Sequence, residues 1–196
     1  QLQVVTAHKG NLWLRFETRG KAAHGATPHL GKSAIHKMAR ITEVLLTEYA
    51  DELRKRTHPL LGHPSINIGT IKGGSQTNVV PERCSIEIDR RTLPSETEDS
   101  VFKEINRILA KRKLKVVNPQ ESRGVPCPPL ETNPELPIVR KFLKAAKRRK
   151  PKGVDYFTDA SPIAMGGTPA IVFGPGDRAQ ARSADEWIDL DQLDQA

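Results

Sequence analysis

The chain has 196 residues, 37% apolar and 28% charged, with 31 Lys plus Arg against 23 Asp plus Glu and a net charge of +8. That balance suits one or two folded domains, and the longest apolar run, Ala170-Ile171-Val172-Phe173, is far short of the ~18 residues of a membrane-spanning helix, so a membrane partner is not expected. Two cysteines, Cys84 and Cys127, are too few for a disulfide scaffold and point to a reducing, cytoplasmic setting, while the start at Gln1 without a Met or an apolar leader reads as a chain beginning inside a longer protein.

Leu12, Leu14 and Phe16 alternate with Trp13, Arg15 and Glu17, which predicts a strand ending at Gly20. After a loop over 20–31, Ile35, Met38, Ala39, Leu45, Leu46, Tyr49 and Leu53 recur at helical spacing. They predict a long amphipathic helix from about Ser33 to Arg56, closed by Pro59. Ile66 and Ile68 predict a short strand ending at the turn Gly73-Gly74-Ser75. Cys84, Ile86 and Ile88, alternating with Ser85, Glu87 and Asp89, predict its hairpin partner. Ser95-x-x-Glu98 resembles a capping box ahead of a helix through Val101, Phe102, Ile105 and Leu109, and Leu114, Val116 and Val117 predict a fourth strand. The order strand, helix, strand, strand, helix, strand over 11–118 is the ferredoxin-like pattern: an α+β two-layer sandwich with a four-stranded antiparallel sheet and two helices on one face.

A Pro-rich stretch from Pro119 to Pro137 then punctuates the chain. A second unit follows: a basic helix near 135–149, a loop over 150–168, a strand over 169–173 and a helix starting near Leu190. Arg140, Lys141, Lys144, Lys147, Arg148, Arg149, Lys150 and Lys152 carry no acid among them, and the block reads as a solvated helix face rather than a nucleic-acid patch. The run Ala170–Phe173 has the composition of a strand buried in a parallel sheet. A lone parallel strand lacks partners, so this tail reads as an incomplete α/β segment.

Several blocks carry a family resemblance. Gly20-Lys21-Ala22-Ala23-His24-Gly25-Ala26-Thr27-Pro28 is followed by Gly69 to Pro81, with Gly73-Gly74-Ser75-Gln76-Thr77-Asn78 inside it. Asp89-Arg90-Arg91 with Pro94, Tyr156-Phe157-Thr158-Asp159-Ala160, and Phe173-Gly174-Pro175-Gly176 with Ala184-Asp185-Glu186 complete the set. In this order they resemble the dinuclear zinc hydrolases related to acetylornithine deacetylase, succinyl-diaminopimelate desuccinylase and glutamate carboxypeptidase. The resemblance implies that 7–118 is a dimerisation domain, that 119–196 is the closing segment of a catalytic α/β domain, and that 1–6 is the link from that domain. It implies a homodimer acting on N-acyl amino acids or small peptides, and a cofactor of two zinc ions whose ligands are not expected among these residues.

The same resemblance distributes roles. His24 is the match to a histidine that crosses the dimer interface and stabilises the oxyanion formed on the amide carbonyl. Asn78, an amide able to donate and accept, and Arg91, a planar fork suited to a carboxylate, are candidate substrate-binding residues. Thr158 and Asp159 match a cleft-lining loop, and Gly174 follows the expected buried strand, where crevices of open α/β sheets form. Where the family has a zinc-ligating histidine, this chain has Arg182, whose guanidinium offers no lone pair. On the residues alone, Asn78 is also a turn residue, and Arg91, on one strand face with Asp89 and Glu87, is also a residue for a cross-strand ion pair. Arg90 falls on the opposite strand face and is given no role. Two other classes stay open: a non-catalytic dimerising module, and an RNA-binding sheet, against which the strand Cys84–Arg91 has no aromatic side chain for stacking bases.

Overall fold

In the computed structural model, which describes residues 2–181 and 183–196, two sheets meet along one stretch of backbone. Arg182 lies outside the described residues. Strand β1 (Val5–His8) passes through the single residue Lys9 into β2 (Gly10–Arg19). Helix α1 (Ala34–Val44) runs without a break through a π-helical stretch, Leu45–Tyr49, into α2 (Ala50–Arg54). Strands β3 (Ser65–Gly73) and β4 (Arg83–Thr92) form the expected hairpin, α3 (Glu98–Lys111) follows, and β5 (Val117–Glu121) closes the sheet in the order β3-β4-β2-β5, antiparallel throughout. This is the ferredoxin-like sandwich that the periodicity predicts. The expected boundary at 118 falls inside β5, which continues to Glu121 opposite Leu14.

The long helix departs from the predicted face. Ala34, Met38, Ile41, Leu45, Tyr49 and Leu53 point inward, whereas Ile35, Ala39 and Leu46 are exposed. From Ile41 the buried positions recur every fourth residue, and in an α-helix of 3.6 residues per turn each such step drifts by about 40°. The wider π turn absorbs that drift and keeps all four on one side. Thr47 donates to the Glu43 carbonyl at 2.7 Å in the same stretch, a back-bond that bends helices.

Helix α3 also begins later than Ser95-x-x-Glu98 implies. Thr97 is its N-cap, and Thr97 and Ser100 exchange reciprocal side-chain bonds. That frees Glu96 for another task. Arg90 sits in the inward phase of β4 with Cys84, Ile86 and Ile88 and is fully buried. Its Nε donates to the Tyr49 hydroxyl at 2.9 Å, and its other nitrogens donate to the Arg91 carbonyl and to Glu96. Glu96 also accepts from the Leu93 amide at 2.7 Å and from Arg56 at 2.5 Å, and Arg56 reaches on to Glu104. Burial pushes the Tyr49 phenol up, with the Arg90 charge opposing. A charge network thus closes one end of a core otherwise built from Leu14, Phe16, Met38, Ile41, Ile86, Ile105 and Leu109.

Beyond β5 the tail differs from expectation. β6 (Leu130–Glu131) pairs antiparallel with β1, and β7 (Lys152–Val154), in what reads as loop, pairs parallel with it. The run Ala170–Phe173 is not a buried parallel strand. It is half-buried and makes one antiparallel bridge, Val172 to Val5, and the Ala170 carbonyl is taken by the Thr132 hydroxyl. The parallel partner was missed because β7 has three residues and a glycine at its centre, too short for a period. α4 (Pro137–Ala145) buries Val139 and Leu143 against Val4 and leaves Arg140, Lys141 and Lys144 in solvent, as the solvated-face reading has it. Short helices α5 (Ala160–Met165) and α6 (Leu190–Asp194) complete the chain. No helix among the described residues is long and apolar enough to cross a membrane.

Candidate functional site

The helix-free face of the sheet carries Asn11 and Trp13 from β2 and Asp89 and Arg91 from β4, because alternate residues of a strand point to opposite faces. Asn11 lies directly across from Arg91, and Trp13 across from Asp89. Arg91 donates to Asp89 at 2.8 Å, so the ion pair read from the sequence is made within the strand rather than across it. Asn11, Trp13 and Arg91 form one wall of a cleft of about 1210 Å³ whose opposite wall is the tail, with Tyr156, Phe157, Gly174, Arg178 and Trp187 among its residues. Arg91 and Gly174 therefore line one cleft.

Thr158 and Asp159 stand just outside that lining, which reaches Phe157 and stops. Their loop is held from beneath by His8, a residue with no local sequence signal. His8 is fully buried, and its ring packs edge-on against Phe157 at 5.6 Å between centroids. The Thr158 amide donates to His8 Nε2 at 3.3 Å, so Nε2 is the acceptor and Nδ1 carries the proton toward the Lys9 carbonyl at 3.0 Å. Burial holds the imidazole pKa below its ordinary 6.5, with the hydrogen bond to the Lys9 carbonyl opposing. The unfolded chain then takes up a proton near pH 6.5 that the folded chain resists, and stability falls as pH drops below that value. Denaturant midpoints at pH 7.5 and 5.5 should separate by more in the parent chain than in His8→Gln. Equal separations would remove His8 as the source.

His24 and Asn78 are brought together, but elsewhere. The Gly25 amide donates to the Asn78 carbonyl at 2.7 Å, the Val80 amide donates to the Ala23 carbonyl at 2.9 Å, and His24 bridges to Val79. A Cβ at Gly25 would stand 2.9 Å from the Asn78 carbonyl oxygen, so only glycine permits this approach. The Ala26 amide donates to His24 Nδ1 at 3.1 Å, which puts the ring proton on Nε2 and makes it a donor on an exposed loop. These loops leave the sheet at the Arg19–Arg83 end, where the Gly20 amide meets the Glu82 carbonyl at 2.8 Å. From Arg83 to Arg91 is eight residues of β4, about 27 Å at the usual strand rise.

Among the described residues, no three His, Cys, Asp or Glu side chains gather as a metal ion requires. The zinc pair that the family resemblance implies does not fit these residues alone. Cys127 is buried beside the cleft. Its thiol is pushed up by burial, with the charges of Arg123 and Arg91 pulling the other way. Sequence reasoning missed Trp13, Asn11 and Arg123 as cleft residues. Trp13 was legible as an outward strand position, whereas Arg123 is brought there only by the turn after β5.

Fold and cleft together define a class: a ferredoxin-like domain mounted on part of an α/β domain. Residues 6–117 match the family model described as the peptidase dimerisation domain, and the chain belongs to that family. Similar proteins include the acetylornithine deacetylases of Myxococcus xanthus, 29% identical over 202 residues, and of Shigella sonnei, 30% identical over 199 residues. Each alignment takes in 96% of this chain and 50% of the relative, so the chain spans about half the length of the curated relatives it matches. Among solved structures, aminopeptidase PepT of Bacillus cereus superposes with a TM-score of 0.74 at 21% identity, over 99% of this chain and 51% of that one. A metallo-carboxypeptidase of Sulfolobus solfataricus superposes with a TM-score of 0.69 at 18% identity, over 98% and 57%. At these identities the structural likeness concerns the fold.

Proposed function

We propose that the chain is the dimerising and substrate-holding part of an amide hydrolase acting on N-acyl amino acids or small peptides. Arg91 binds the substrate carboxylate in the cleft, Gly174 belongs to its far wall, and Thr158 and Asp159 bind at its margin, next to the lining residues Tyr156 and Phe157. His24 Nε2–H donates to the oxyanion that forms when the amide carbonyl is attacked, and Asn78 holds the peptide-like group beside it. The observation that carries this reading is a separation: the two sets of candidate residues lie at opposite ends of one strand. A substrate small enough for the cleft cannot touch both sets in one copy of the chain. It can do so if the His24 loop of a second copy enters the cleft.

Homodimerisation through residues 7–118 supplies that second copy. Strand β3 is an edge strand, with Ile71 exposed on it, and Ile35 and Leu46 are exposed on the adjoining helix. An unpaired edge with apolar neighbours is a template for a second chain. The metal ligands of such an enzyme would lie beyond the described residues, and no step here depends on them. Light scattering should find dimers at micromolar concentration, and Ile71→Lys should weaken the dimer at least tenfold. In the full-length protein the monomeric variant should lose hydrolysis of N-acetyl amino acids, since its cleft lacks the partner's His24. Full activity in a monomer would overturn the reading.

A further inference from the structure

Arg123 lines the cleft outside the segment that the family model matches, as do Lys152 and Arg178. Arg123 follows β5 in a turn where the Glu121 carboxylate accepts from the Arg123 amide at 2.8 Å and from the Gly124 amide at 2.7 Å. Gly124 takes a positive φ of 74° there, so the backbone that carries Arg123 is set by local chemistry. The guanidinium carbon lies 5.1 Å from the Trp13 ring centroid and 5.9 Å from that of Phe157. One ring comes from the sheet and the other from the tail. A guanidinium stacked in this way keeps its N–H groups in its own plane, at the edges, where they match the two oxygens of a carboxylate.

Those edges are not consumed. Arg90 is saturated by Tyr49, Glu96 and the Arg91 carbonyl, and Arg91 spends part of its fork on Asp89. No carboxylate stands within ion-pair distance of the Arg123 guanidinium among the described residues. The wall thus offers two guanidinium forks.

We infer that Arg123 binds a second anionic group of the substrate, so that the cleft selects N-acyl amino acids or peptides bearing two carboxylates, one on Arg91 and one on Arg123. The inference rests on the reading of this cleft as the substrate site, and it names the substrate class.

The test compares N-acetyl-L-glutamate with N-acetyl-L-glutamine, equal in shape but differing by one charge. Binding to the 196-residue chain is followed through the indole and backbone amide signals of the 15N-labelled protein. N-acetylglutamate should bind about tenfold more tightly, since a charge-assisted pair contributes on that scale. Arg123→Gln should bring the ratio close to one by weakening N-acetylglutamate binding, and Arg123→Lys should keep part of the preference. Arg91→Gln should weaken both ligands. Equal binding to the parent chain, or a preference that survives Arg123→Gln, would overturn the inference and leave the cleft reading standing. A loss of thermal stability in both Arg123 variants with the ratio unchanged would make the residue a stacked latch and overturn it too. Binding of neither ligand would overturn the cleft reading and the inference together.

Discussion

Glu96→Ala is expected to lower unfolding stability by about 3–5 kcal/mol, the cost of stripping one partner from a buried ion pair. Glu96 is 7% exposed and Arg90 is fully buried, so a guanidinium left without its carboxylate has no water to turn to. The Leu93 amide loses its acceptor in the same substitution, and Arg56 keeps only Glu104. Replacing both members, as in Arg90→Met with Glu96→Leu, should cost far less than the sum of the singles, because the uncompensated charge is gone. Urea titrations of the two single variants and the double variant measure the coupling. A loss below about 1 kcal/mol in Glu96→Ala would mean that the network is solvated and contributes little.

His24→Ala in the full-length protein is expected to lower kcat by roughly 10²–10³-fold with a small change in KM, the pattern of a donor used in the transition state. Mixing His24→Ala chains with Arg91→Ala chains gives the sharper result. In the heterodimer one cleft regains an intact Arg91 together with the His24 of the other chain, and activity should return to about half of the parent value. Heterodimers that form but stay inactive would return His24 to an ordinary loop histidine.

Much of the sandwich was legible because each element carries its own period. The alternation in β4 is a local signal that burial follows, and helical spacing located the long helix, although Ile35, Ala39 and Leu46 of its predicted face are exposed because the π turn shifts the buried side. The charge network was not legible in the same way, although one clue stood in the sequence. Arg90 falls in the inward phase with Cys84, Ile86 and Ile88, and a cation on a core face requires a buried acceptor. Glu96 was hidden because Ser95-x-x-Glu98 drew the helix start two residues early, whereas Thr97 and Ser100 form the box. The short strands β6 and β7 have two and three residues, and their pairing with β1 is decided by contacts more than a hundred residues apart. Of the candidate site, Arg91 and Gly174 meet in one cleft and His24 meets Asn78 in another place. Thr158 and Asp159 stop at its margin, since it is the neighbouring Tyr156 and Phe157 that line the wall.

The junction at Lys9 has a mechanical consequence. His8 ends one sheet and Gly10 begins the other, and the residue between them is bonded on both sides: its amide donates to the Val154 carbonyl at 3.1 Å, and its ammonium lies 3.2 Å from Asp155. The Asn11 amide is held in turn by the Cys127 carbonyl at 2.8 Å, and a Cβ on Gly10 would stand 2.3 Å from the Thr92 hydroxyl and 2.7 Å from the Pro129 nitrogen. A junction packed this closely is a splined shaft, not a tether with slack. The sheet that carries Asn11, Trp13 and Arg91 is thus joined to the tail by a short link with no room to spare, and the two walls of the cleft are anchored to each other through it.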